Sequence, residues 1–110
     1  MARKDSIDLG ELTDSAFYIL SSVIEAKHGY LIMKTIEEDS NNEYKIGPAS
    51  LYTTLKKLLA ADLVQLHEDN NDNKKVYEIT DKGREMLIKE IERKKNMVRF
   101  AEKFLKWIGG

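Results

Sequence analysis

Apolar residues recur at three- and four-residue intervals over three stretches of the first half of the chain, the spacing of one buried helical face. In the first stretch Ala16, Ile19, Leu20, Val23 and Ile24 follow Thr13-Asp14, a capping hydroxyl with an acid in the first turn. The pattern predicts a helix that runs to about His28-Gly29, where glycine would supply the left-handed C-cap. A second helix is expected from about Tyr30 to Asp39, burying Ile32, Ile36 and part of Met33 and ending at Ser40-Asn41-Asn42. The third opens at Gly47-Pro48, with the single proline of the chain in the first turn, where its preset φ suits a helix. Its apolar stripe is Leu51, Leu55, Leu58 and Leu59. The opposite face carries Ala49, Ser50, Thr53, Lys56 and Lys57, with no acid among them. Tyr52 projects near the edge of the stripe, half core and half surface.

After Asp62 the period changes from helix to strand. Residues 63–68 (LVQLHE) and 75–79 (KVYEI) alternate apolar and polar, and Asp69-Asn70-Asn71-Asp72-Asn73 between them tolerate turns, which predicts a β-hairpin. Tyr77, like Tyr30 earlier, is expected to pack its ring and keep a wet hydroxyl. Both histidines, His28 and His67, are expected at the surface. Thr80-Asp81 caps a last helix of about 81 to 108, with Gly83 as a weak spot of about 1 kcal/mol relative to Ala. Leu87, Ile91, Lys94, Val98, Ala101, Leu105 and Ile108 form a seam on this helix that only Lys94 breaks. Toward its end the apolar face widens to Met97, Phe100, Phe104 and Trp107. A helix this long outruns the core that the preceding residues can build, so its outer half is expected to meet a second subunit. Lys94 either snorkels out or brings a positive charge to the dimer centre, which would suit an acidic effector.

Composition narrows the function. With 110 residues, 34% of them charged, and no cysteine, the chain fits one domain without disulfides, thiolate metal sites or a Cys nucleophile. No run is long enough to span a membrane, and the polar residues 1–11 are expected to be a flexible segment rather than a signal peptide. A soluble, intracellular (cytoplasmic) protein is the expectation. His28 and His67 form no metal-ligand pair, and no phosphate-cradling glycine loop or nucleophile motif is present, so neither an enzyme nor a cofactor or metal site is expected. The net charge of −1 argues against a general polyanion binder, but the charge is segregated. Residues 37–43 hold four acids and no base, whereas residues 44–61 hold Lys45, Lys56 and Lys57 and no acid. A local basic patch can hide in a neutral total.

The expected fold is mainly α with a β-hairpin: three short helices, a hairpin and a long helix, the order of a winged helix-turn-helix followed by a C-terminal dimerisation helix. This divides the chain into a flexible segment (1–11), a winged DNA-binding domain (12–80) and the dimerisation helix (81–110). In such a domain the third helix enters the major groove and the wing lies along the backbone. Ala49, Ser50 and Thr53 are small enough to let bases approach, while Lys45, Lys56, Lys57 and, on the hairpin, Lys74 and Lys75 can neutralise phosphates. The acids Asp69 and Asp72 at the hairpin tip oppose a strong wing contact. Winged helices also serve as protein-interaction modules without DNA, and that reading stays open beside the first, as does, more weakly, a small-molecule carrier.

His28-Gly29-Tyr30, the run Gly47-Pro48-Ala49-Ser50-Leu51-Tyr52, Leu55-Lys56-Lys57-Leu58 and Tyr77-Glu78-Ile79-Thr80-Asp81-Lys82-Gly83-Arg84 resemble the PadR family in order and spacing. The resemblance runs from about residue 12 to 90 and is to the smaller class with a single C-terminal helix. It implies a homodimeric bacterial transcriptional regulator, usually a repressor, that binds double-stranded DNA at a pseudo-palindromic operator. Ser50, Tyr52, Thr53, Lys56 and Lys57 are then the operator-facing residues of the recognition helix. The expected dimer interface is Leu87, Ile91, Lys94, Met97, Val98, Ala101, Phe104, Leu105, Trp107 and Ile108, with each long helix also packing on the partner's first helix. A small-molecule effector entering that interface would change the spacing of the recognition helices and release the operator. Two departures stand out. Asp72-Asn73-Lys74-Lys75-Val76 replaces the arginine-rich run that often precedes the wing tyrosine, and Lys94 stands where multidrug-responsive relatives carry a pore-lining tryptophan.

Overall fold

The computed structural model describes residues 12–69 and 74–109, and their side chains except those of residue 69 and residues 107–109. The expected flexible segment 1–11 and the turn residues 70–73 lie outside them. The elements follow in the order α1 (Asp14–Ser22), β1 (Lys27–His28), α2 (Gly29–Asp39), α3 (Pro48–Ala60), β2 (Val64–Asp69), β3 (Lys74–Ile79) and α4 (Asp81–Gly109).

The first helix starts as its sequence predicts, with the Thr13 hydroxyl accepting the Ala16 N–H at 3.1 Å. It ends six residues early, at Ser22. The Val23 carbonyl, which a longer helix would need, instead accepts the Ile79 N–H at 2.9 Å. Chain 27–28 is thereby drawn alongside β3, where Lys27 pairs with Tyr77 and His28 with Val76. The hairpin gains a third strand, in the order β1-β3-β2, all antiparallel. Two expectations fall with this. Ile24, counted into the helical stripe, lies outside the helix and is 43% exposed. Gly29 is no C-cap but the first residue of α2. Sheet pairing overrides a local periodicity that was correct only as far as Val23.

Two helices close with the same hydrogen-bond pattern. At the end of α2 the Asn42 N–H reaches the Glu37 carbonyl and the Asn41 N–H the Glu38 carbonyl, with Asn41 at φ 56°. At the end of α3 Leu63 bonds back to Leu58 and Asp62 to Leu59, with Asp62 at φ 63°. Asparagine and aspartate here take the left-handed position usually left to glycine. The second of these turns also buries Leu63 against the core that contains Leu58.

One core joins the four helices to β2 and β3. Ala16, Ile19, Leu20 and Val23 meet Ile32 and Ile36 of α2, Leu51, Leu55 and Leu58 of α3, Leu63, Val64, Tyr77 and Ile79 around the sheet, and Leu87 of α4. The expected α3 stripe is buried except for Leu59, which is half-buried. Val64 and Ile79 face each other in register and are both buried. Tyr77 is buried as expected, but Tyr30 is 69% exposed, because the face of α2 that reaches the core is set by Ile32 and Ile36.

Gly83 is not the weak spot its helix propensity implies. A Cβ there would overlap the Leu63 carbonyl oxygen and come within 2.9 Å of Ile79 Cγ1. Only glycine lets the first turn of α4 lie against the α3–β2 turn. Gly83→Ala is expected to lower stability by about 2 kcal/mol or more, through overpacking against backbone. Gly47→Ala, where nothing lies within 4 Å, should cost less than about 1 kcal/mol. Urea midpoints of the two variants check the contrast.

Candidate nucleic-acid interface

The start of α3 is held from below by α2 and α1. Ser40 Oγ accepts the Tyr44 N–H at 3.1 Å, the Tyr44 ring stacks on Tyr18 with centroids 4.3 Å apart, and its hydroxyl bonds to that of Ser15. Gly47 then caps the helix with backbone alone and Pro48 occupies its first turn. Because Leu51, Leu55 and Leu58 are fixed in the core, helical geometry delivers Ala49, Ser50, Thr53, Lys56 and Lys57 to the opposite side, and all five are exposed. Lys45 is exposed just before them. The expected face therefore exists as one surface of small, hydroxylated and basic side chains.

Tyr52 is 48% exposed, between core and surface as its position predicts. Its ring lies across the start of α2, where a Cβ on Gly29 would overlap its hydroxyl and sit 2.9 Å from Cζ. Glycine at 29 thus permits the close approach of α3 and α2. Tyr52 also neighbours Tyr77, whose hydroxyl is pushed above its ordinary range by burial first and by Tyr52 second. The pairing of Gly29 with Tyr52 could not be read from spacing, since the two are joined only by the tertiary fold.

On the wing, Lys74 and Lys75 are exposed but, as strand neighbours, point to opposite faces. In strand register Lys75 lies opposite Glu68 and Lys74 opposite Asp69. His67 Nε2 lies 3.0 Å from Glu78 Oε1, and His28 Nδ1 lies 3.2 Å from the Lys75 carbonyl oxygen. The latter contact ties the start of α2 to the wing, a part expected only of a surface residue. The hairpin tip itself lies outside the described residues.

Along α4 the expected seam divides. Leu87 is buried, Ile91 and Lys94 lie at the edge, and Met97, Val98, Ala101, Phe104 and Leu105 are exposed, Leu105 to 66%. The side chains of Trp107 and Ile108 lie outside the description. Lys94 neither snorkels away nor stands free. Its Nζ is 3.7 Å from Glu90 Oε2 and 5.0 Å from the Phe17 ring centroid, a cation over an aromatic face. Phe17, Ile91, Lys94, Lys95, Val98, Arg99 and Glu102 line an open groove of about 510 Å³ between α1 and the outer half of α4.

Glu90 escaped the sequence reading, one acid in a helix crowded with charges. It is 1% exposed and accepts the Leu12 N–H at 3.0 Å and both Arg93 Nε and Nη2, at 2.7 and 2.9 Å. The Arg93 hydrogen bonds, working against burial and helped by the Leu12 N–H, hold its carboxyl down at about 2. The only signal in the sequence is that bases stand three and four residues later. A carboxyl depressed in the folded state stabilises fully above its unfolded value near 4.5, and that contribution is lost as pH falls toward 2. Acid titration of stability should show wild type and Glu90→Gln farthest apart above about pH 4.5 and converging towards pH 2.

A model of the Transcriptional regulator PadR-like family matches residues 19–89. No curated protein matches the chain significantly. Among solved structures, the chain is similar to a transcriptional regulator from Clostridium thermocellum, at 22% identity over 94% of this chain and 99% of that one, TM-score 0.76. It is similar to a PadR family transcription regulator from hypervirulent Clostridium difficile R20291, at 25% identity over 89% and 100%, TM-score 0.65. It also resembles Bacillus subtilis PadR in complex with operator DNA, at 22% identity over 69% of this chain and 45% of that one, TM-score 0.61.

Proposed function

Because the chain belongs to the PadR-like family of transcriptional regulators, we propose that it is a repressor that binds a pseudo-palindromic operator as a homodimer, with α3 in the major groove. The observation that carries this reading is the acid-free exposed face of α3, set opposite a fully buried leucine ladder. Ser50 and Thr53 offer hydroxyls and methyls to base edges, and Ala49 leaves room for them to approach. Lys45, Lys56 and Lys57 take phosphates on either side of the groove, with Tyr52 adding a hydroxyl at its edge. Lys74 and Lys75 contribute less, since they point to opposite faces of the wing and Lys75 has Glu68 across from it in register. The structure of Bacillus subtilis PadR with operator DNA supports the same use of the fold here.

Dimerisation follows from the outer half of α4. Met97, Val98, Phe100, Phe104 and Leu105 are each more than half exposed, an apolar surface too large to leave in water. A second copy covers it, through its own α4 and its α1, and so places two recognition helices about 34 Å or a multiple apart. A small molecule bound at that interface would change the separation and release the DNA.

Binding of the chain to the DNA upstream of its own gene, titrated with salt against a scrambled duplex, tests the DNA reading. Sequence-dependent binding is expected, with a slope in log K against log salt that falls by about 1 for each of Lys56→Ala and Lys57→Ala. A genome-wide fragment selection that enriches no sequence contradicts it and leaves a protein-interaction module. Sedimentation at micromolar concentration should give a dimer, and Phe104→Asp a folded monomer by circular dichroism. A monomeric wild type contradicts the dimer.

A further inference from the structure

Beside Leu87 in the core and Lys94 over the Phe17 ring, hydrogen bonds tie the long helix to the rest of the domain at two places. The first is its opening turn, where Gly83 lies against Leu63, Thr80 Oγ1 donates to the Asp62 carbonyl at 2.7 Å and Lys82 Nζ to the Ala61 carbonyl at 3.1 Å. Those carbonyls belong to the turn that ends the recognition helix. The second is Glu90, two turns farther on, which grips the Leu12 N–H at the entry to α1 while Arg93 and Lys94 of the same helix hold its carboxylate in place. From residue 95 to 106 every described side chain is exposed. At 1.5 Å per residue, Glu90 stands about 10 Å from Gly83 and the helix end about 39 Å from it. A shift of about 1 Å at Glu90 therefore becomes about 4 Å at the far end.

A buried carboxylate is a costly way to hold a helix if stability is all that is needed, since apolar side chains of the same volume often serve as well. The fork from Arg93, one turn on in the same helix, fixes the orientation of the carboxylate. The directed Leu12 N–H that it accepts is then the bond across to the rest of the domain, which apolar packing would not orient in this way. We propose that Glu90 is a positioning residue for operator recognition: by fixing the direction of α4 relative to α3, it sets the separation of the two recognition helices in the dimer. The inference rests on the dimer reading above. It requires no contact between Glu90 and DNA, and its action runs through Leu12, Arg93 and the lever of α4.

The chain has no cysteine, so a single spin label can be placed by Ala60→Cys, at the exposed end of α3 and outside the DNA-facing set. Pulsed electron resonance on the free dimer then reads the separation of the two recognition helices without any operator. In the otherwise wild-type chain one narrow distance distribution is expected, and Glu90→Gln should at least double its width or move its mean while the protein remains dimeric. Should Glu90→Gln fail to fold, Arg93→Lys, which breaks the fork but leaves the Leu12 bond to Glu90, is expected to broaden the distribution in the same sense. An unchanged distribution in the folded dimeric variant overturns the role of Glu90 alone. Absence of any dipolar signal in the wild-type background overturns the dimer reading, and this inference with it.

Discussion

Three successive carbonyls in the turn after α3, those of Ala61, Asp62 and Leu63, receive the opening of the last helix. Lys82 reaches the first, the Thr80 hydroxyl the second and the Thr80 N–H the third, at 3.1, 2.7 and 3.0 Å. Gly83 lets the two backbones close on one another. This junction joins α3, the β2–β3 wing and α4 at one point, because β2 leaves from it and β3 returns to it. Turn carbonyls that no helix or strand ladder would satisfy become a fixed point of the domain. Everything the protein presents outward is positioned from there.

What α3 presents follows from what it buries. Leucines at 51, 55 and 58 leave no rotational freedom, so the residues between them are surface by necessity. Function then depends on chemistry that the core does not constrain: no acids, three small or hydroxylated residues and two lysines. The net charge of −1 conceals this, since the acids gather in residues 37–43 while the bases of the next segment stand unopposed. On the wing, by contrast, Lys75 has an acid, Glu68, opposite it in register. If α3 meets DNA as proposed, sequence reading and most of the affinity fall to it rather than to the wing.

Much of this was legible in the chain. The α3 stripe, the caps at Thr13 and Thr80, the hairpin and the long final helix all follow from short-range pattern, and each exists. What escaped was long-range. β1 is two residues whose strand character comes wholly from lying beside β3, and it shortens α1 by taking the chain away. Gly29 and Gly83 looked like breakers because propensity sees only the local helix, whereas each makes room for a group distant in sequence. Tyr30 looked like core and is surface, since the apolar face of α2 was already filled. Glu90 was hidden among ordinary surface charges, as burial of a single acid leaves no periodic trace.

The central claim is that α3 faces DNA from both halves of a dimer. Its most direct test is a cleavage reagent tethered to Ala60→Cys, with the chain bound to duplex fragments selected from its own genome. The account predicts two clusters of strand cuts about ten base pairs, or a multiple of that, apart. Scattered cleavage, no different from that of the free reagent, would contradict it.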